Sequence, residues 1–309
     1  MNGYVGLTDD DWYATLQADG AREANFWTPT AKAFRALTRG EPLFFLLKKP
    51  RAAVCGFGVF VRYDKVPVWL AWEAFGRANG VQTHNELIQR ITKYRKRFGE
   101  VGNVEATSIG CIVLEECCWF TEKLWVRRPN DWHDNIVSGK GYDLTAGEGL
   151  RLWKDCIQRG AVEAGAVPLV AGSEDAARYG VPTLVQPRLG QGAFRLEVTD
   201  AYGGACAVTT EHSLPVLEAA HIRSYSSGGP HDVGNGILLR TDLHRLFDRG
   251  YATFDDDLRF VVSSRLRSDY ENGKLYYAMQ GQALRGPSDP AQAPRREHLD
   301  WHRTNVFLG

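Results

Sequence analysis

What the chain lacks most visibly is net charge: over 309 residues, 37 Lys and Arg balance 37 Asp and Glu. A nucleic-acid binder often shows a basic excess, so the balance argues against a global electrostatic pull and leaves that work to local patches. Cysteine is sparse as well, with six residues and no CxxC pair. Cys117 and Cys118 are adjacent, and neighbours rarely bond to each other, so the six read as reduced, buried thiols of a cytoplasmic protein. No apolar run approaches the roughly 18 residues that span a bilayer. The opening MNGYVGLTDDDWYATL has neither a basic n-region nor an apolar h-region, so no signal peptide and no membrane association are expected. Repeats and low-complexity tracts are missing too. The 44% hydrophobic content and nine Trp instead suit packed cores, and the length suits about two domains.

Hydropathy patterning divides the chain in three and predicts an α+β protein. In residues 1–160, PLFFLLKK, AVCGFGVFVRY and SIGCIVLEECCWF read as strands bounded by Gly, Pro or charge. VPVWLAWEAFGRANGV and THNELIQRITKYRKRFG read as helices, the latter with Thr83 or Asn85 as cap and Leu87, Ile88, Ile91 and Tyr94 near helical spacing. Strands with inserted helices suggest a mixed barrel-like domain, closed by a helix with Leu150, Trp153 and Ile157 on one stripe. Residues 161–187 carry several Gly and Pro and little periodicity, which predicts a linker. A second domain, 188–309, opens with Phe194, Val198 and Ala201 on one helical face and ends in a short helix within RREHLDWHRTNVF.

The richest chemistry lies in VLEAAHIRSYSSGGPHDVGNGILLRTDLHRLFDRG, residues 216–250. PVLEAAHI predicts a strand ending at His221, and Gly228, Gly229 and Pro230 turn the loop that follows. A second strand is expected to begin at Asn235. TDLHRLFDRG is expected to be a short helix with Thr241 as its cap and Gly250 just past its end. His244 and Asp248, four residues apart, share a face of that helix, and one imidazole with one carboxylate can bind a divalent cation. A neutral imidazole at His221 is suited to deprotonate water near pH 7. Asn235 can bridge backbone across the loop and orient that base.

These residues resemble the HNH nuclease, or ββα-metal, motif: the His–Asn–His order falls at His221, Asn235 and His244, with steps of 235−221 = 14 and 244−235 = 9. AAHI, NGILLRTDLHRLFDRG and the upstream GQGAFR and YGGACAVT are similar to a subgroup attached to predicted bacterial restriction endonucleases. The resemblance implies His221 as general base, Asn235 as its orienter, and His244 with Asp248 as ligands of Mg²⁺, Mn²⁺ or another divalent cation. It also implies cleavage to 5′-phosphate and 3′-hydroxyl ends. Many such sites hold a further metal-binding residue just before the base, where this chain has Ala220. Glu218 falls on the same strand face and is the candidate for the missing carboxylate, directly or through water. Many also hold a structural zinc on paired CxxC, but only Cys206 lies nearby, so no zinc is expected. Arg223, Arg240, Arg245 and Arg249 surround the motif as DNA-phosphate contacts or as solvated surface charges. His231 reads as a loop residue rather than a ligand. One site cuts one strand, so a homodimer is expected for a double-strand break.

The first 160 residues resemble the amino-terminal part of the same restriction proteins and, more distantly, the PUA-like barrels that include SRA and EVE readers of modified bases. That implies double-stranded DNA carrying modified bases as the partner, and a flipped base in an aromatic pocket. Pocket candidates are Asn25 and Trp27 in NFWTP, and Asp131, Trp132, Lys140 and Tyr142 in DWHDNIVSGKGYDL, where Gly139 and Gly141 would let backbone approach a base or phosphate. A well-packed turn explains the second stretch equally well. Lys93 and Lys96, in QRITKYRKRFG, offer a local basic patch or a solvated face. The leading expectation is a modification-dependent endonuclease of bacterial defence. The alternatives are an HNH endonuclease targeted by ordinary sequence or without specificity, and an inactive DNA-binding module.

Overall fold

A strand with no polar residue has no face to give to water, and PLFFLL becomes β3 (Pro42–Leu47), buried on both sides. Its alternation sends Leu43, Phe45 and Leu47 into one core and Phe44 and Leu46 into another. The computed structural model describes residues 1–96, 104–163 and 190–309. Chain contacts divide it into two units, Met1–Arg188 and Leu189–Gly309.

In the first unit the described elements are β1 (Asn2–Thr8), α1 (Asp10–Ala18), β2 (Ala24–Thr28), β3, β4 (Ala53–Pro67), α2 (Val68–Phe75), α3 (His84–Lys96), β5 (Ser108–Trp119), β6 (Val126–Arg127), β7 (Gly139–Asp143) and α4 (Gly147–Glu163). They build one mixed sheet in the order β2-β5-β4-β3-β1-β7, with β6 on β4. Only β1 and β3 run parallel; every other ladder is antiparallel. Helix α1 covers one face, where Trp12 and Leu16 join Phe45 and Trp119, whose rings stack at 4.8 Å. Helix α4 covers the other, with Leu152, Trp153 and Cys156 on Val5, Phe44 and Val54. Two register shifts between β4 and β5 bend this long pair.

The α+β class holds, but several expectations change in detail. Residues 53–67 form one strand, so VPVW is strand up to Pro67 and helix only from Val68. β1 and α1 were not anticipated. Backbone pairing does not close the sheet, because no ladder joins β2 to β7 among the described residues. The SGKGYD loop is instead the edge strand β7, paired with β1. A Cβ on Gly139 would lie 2.5 Å from the Tyr4 ring, so that glycine makes room for a core neighbour. The expected linker, 161–187, falls outside the described residues from 164 onward.

The second unit is built from α5 (Gln191–Ala201), β8 (Leu217–His221), β9 (Gly236–Arg240), α6 (Thr241–Asp248), β10 (Ala252–Phe254), β11 (Phe260–Val262), α7 (Arg265–Tyr270), α8 (Lys274–Tyr277) and α9 (Arg296–Asn305). β8 and β9 form an antiparallel hairpin, β10 and β11 another. Phe194 and Val198 of α5, Leu243 and Phe247 of α6, and Leu299 of α9 share one core with the strands. Asn235 closes a short turn, Val233–Asn235, rather than opening the strand. Arg240, not Thr241, takes the cap position of α6, and the Thr241 hydroxyl bonds the Val216 carbonyl. Among the described residues no helix is long and apolar enough to cross a membrane.

Candidate active site

The hairpin register places His221 opposite Gly236, immediately after Asn235. Asn235 is fully buried and uses its whole amide. Its Oδ1 accepts from the Arg223 N–H at 2.9 Å, and its Nδ2 donates to the Arg223 and Pro230 carbonyls, each at 2.9 Å. Both ends of the loop 223–230 are thereby pinned to one side chain. Gly229 permits this closeness, since a Cβ there would stand 1.9 Å from the Arg223 carbonyl oxygen and 2.9 Å from the Asn235 amide nitrogen. The asparagine thus bridges backbone across the loop, and the residue next to the pinned Pro230 is His231.

His231 is where sequence reasoning fell short. Its Nδ1 lies 2.9 Å from Nε2 of His221. Phe194 stacks on His221 at 3.8 Å between centroids, and Tyr225 stacks on His231 at 4.4 Å. Burial against these rings, followed by the neighbouring His231 and His244, pushes the His221 pKa down to about 4, so the imidazole is neutral at pH 7. Burial lowers His231 as well. The available signal was the rigid Pro230 before it and Asn235 four residues on.

The other three candidates form a chain. Glu218 Oε2 lies 2.6 Å from His244 Nδ1, and Asp248 Oδ2 lies 3.2 Å from His244 Nε2. Burial pulls the His244 pKa down, but the bonds to Asp248 and Glu218 outweigh it and hold the value above the ordinary range. Helical spacing produces the Asp248 contact, and the strand face of β8 that faces α6 produces the Glu218 contact. The imidazole stands between two carboxylates, so the three do not converge on a point. Accordingly, no group of three or more His, Cys, Asp or Glu is arranged to hold a metal ion among the described residues. The donor chemistry nonetheless fits one. The His244 imidazole sits between two partly exposed carboxylates, and a divalent cation would answer the same negative charge.

Residues 206–255 match the family described as HNH endonuclease, a span that takes in β8, β9, α6 and β10. The second unit carries an HNH endonuclease domain. The protein is therefore a DNA-hydrolysing enzyme. No curated protein matches the chain. Among solved structures it is similar to a modification-dependent TagI restriction endonuclease, at 14% identity and a TM-score of 0.31 over 94% of this chain and 76% of that one. It is also similar to an ASCH protein from Zymomonas mobilis, at 12% identity and a TM-score of 0.35 over 49% of this chain and 93% of that one.

Around the HNH domain's histidines, the arginines differ. Arg240 is engaged bidentately by Asp242 at 2.6 and 2.8 Å. Arg223 donates to the Ser227 carbonyl and lies 5.5 Å over Trp301. Arg245 and Arg249 are exposed one helical turn apart. In the first unit Lys93 and Lys96 are exposed on α3, while Arg90 pairs with Glu86.

The six pocket candidates of the first unit fall into two bonded sets. Asn25 and Trp27 sit on β2 at one end of the strand order, Lys140 and Tyr142 on β7 at the other. Asn25 is buried and donates to Asn79 Oδ1 at 2.9 Å, and Trp27 donates to the Asn79 carbonyl. Asp131 accepts from Lys140 at 2.6 Å and from the Tyr142 hydroxyl at 2.9 Å, while Trp132 is core.

Proposed function

We propose that this protein is a divalent-cation-dependent DNA endonuclease that restricts foreign DNA, with His221 as general base. The observation that carries the proposal is a neutral, stacked His221 held by the Asn235-pinned loop in the same ββα unit as the Glu218–His244–Asp248 chain. His244 and Asp248 would hold the cation, and Glu218, on the other ring nitrogen, would orient the imidazole as a carboxylate partner does for a ligating histidine. When bound, such a cation offsets charge on the scissile phosphate and the departing 3′-oxygen. His221 takes a proton from water, whose oxygen attacks phosphorus as the bond to the 3′-oxygen breaks. That oxygen leaves with a solvent proton, giving 3′-hydroxyl and 5′-phosphate ends. Arg223, Arg245 and Arg249 contact phosphates and position the duplex. Two copies of the chain cut the two strands, and the segment after residue 163 links a PUA-like first unit to the nuclease.

For targeting, modification dependence is the leading reading, on the first unit's resemblance to base-reading PUA-like barrels. The bonds that already occupy Trp27, Asp131, Lys140 and Tyr142 favour a second reading, in which the first unit reads ordinary sequence or only anchors the enzyme. Digestion of matched plasmids carrying cytosine, 5-methylcytosine or 5-hydroxymethylcytosine, with Mg²⁺ or Mn²⁺, separates them. Cutting of one modified plasmid alone supports the first reading, and equal cutting of all three supports the second. No cutting of any plasmid would sink both.

A further inference from the structure

We infer that His231 is a positioning residue for the nuclease reaction: it accepts a hydrogen bond from Nε2–H of His221 and so leaves the Nδ1 lone pair of His221 as the base. The inference rests on the proposed role of His221.

Two neutral imidazoles 2.9 Å apart can share only one proton, so one ring donates and the other accepts. If His231 donated, the His221 proton would sit on Nδ1, and neither nitrogen of His221 could take a proton from water. If His221 donates, its Nδ1 stays open, and that nitrogen has no hydrogen-bond partner among the described residues. Protonation of Nδ1 then creates an imidazolium whose Nε2–H bond to His231 becomes charge-assisted and therefore stronger. The pair is held from three sides. Phe194 fixes the plane of His221, Tyr225 fixes the plane of His231, and Asn235 pins the backbone beside each ring through Arg223 and Pro230. Among the described residues no hydrogen bond or ion pair ties His231 to the Glu218–His244–Asp248 chain.

Asparagine places Oδ1 near the position of a histidine Nδ1 and can accept the same bond; leucine cannot. The test uses the full chain with ¹⁵N-labelled histidine, first without DNA or metal. Long-range ¹H–¹⁵N spectra are expected to show His221 protonated at Nε2 in the wild type and in His231→Asn, and as a tautomer mixture in His231→Leu. With Mg²⁺ and supercoiled plasmid, H231L is expected to lower kcat on the order of 100-fold with little change in KM, and H231N to recover most of it. A wild-type His221 protonated at Nδ1 overturns the inference without any variant, as does an H231L enzyme nicking at the wild-type rate. In both cases loss of nicking in His221→Ala shows that the reading of His221 itself survives. Full nicking by H221A overturns the two together.

Discussion

The second unit holds two histidines in nearly the same surroundings. His221 stacks on Phe194 at 3.8 Å and 14°, and His302 stacks on Phe247 at 3.7 Å and 10°. Burial depresses both to about 4. They differ in wiring. His302 bonds Thr253 Oγ1 through Nδ1 at 2.9 Å and the Phe247 carbonyl through Nε2 at 3.0 Å, so both nitrogens serve the fold. His221 has one nitrogen tied to His231, and that partner is carried on a pinned loop. A desolvated, neutral imidazole is thus not by itself a sign of catalysis; the role proposed for His221 rests on the ring nitrogen that its bond to His231 leaves over.

The comparison breaks most sharply by deleting each ring. His221→Ala is expected to lower plasmid nicking by about 10³-fold or more while DNA binding in a filter or mobility-shift assay persists. His302→Ala is expected to leave the nicking rate of folded enzyme within a few-fold but to cost about 2–4 kcal/mol in denaturant unfolding, through lost packing and an unpaired buried Thr253 hydroxyl. Glu218→Gln sharpens the metal side: the Mg²⁺ concentration for half-maximal nicking should rise about 10- to 100-fold, with saturated rates less affected. Asn235→Ala releases three backbone groups and should cost about 1–3 kcal/mol together with nicking activity, a combination neither histidine variant gives.

A further effect is pH-dependent. His302 has a folded pKa of about 4 and an ordinary value near 6.5 when unfolded, so below 6.5 the unfolded chain binds the extra proton. Its contribution is present above pH 6.5 and lost as pH falls toward 4, at up to about 1.4 kcal/mol per pH unit. Unfolding midpoints at pH 7 and pH 5 should therefore diverge more for the wild type than for His302→Gln.

The site was more legible in the sequence than the fold around it. His221, Asn235, His244 and Asp248 stand at fixed spacings on short elements with clear ends, and local geometry then dictates who meets whom. Glu218 was legible for the same reason, because strand periodicity puts it on the face toward α6. That it meets the ring nitrogen of His244 away from Asp248 depends on how α6 docks, which no spacing encodes. His231 was obscured because its contact runs across a loop. In the first unit, the all-apolar β3 announced itself, whereas β1 was hidden by NGYVGLT, whose two glycines depress strand propensity. The pocket candidates were the least legible, because the partners they bond, Asn79 for Asn25 and Trp27 and the β7 residues for Asp131, are set by tertiary packing rather than by spacing.

The most direct measurement of the central claim is single-turnover nicking of supercoiled plasmid by His221→Ala, with and without added imidazole, in saturating Mg²⁺. If His221 is the base, the variant is nearly inactive and imidazole restores part of the rate in proportion to its neutral form. Nicking by H221A at the wild-type rate, unaffected by imidazole, would contradict the account.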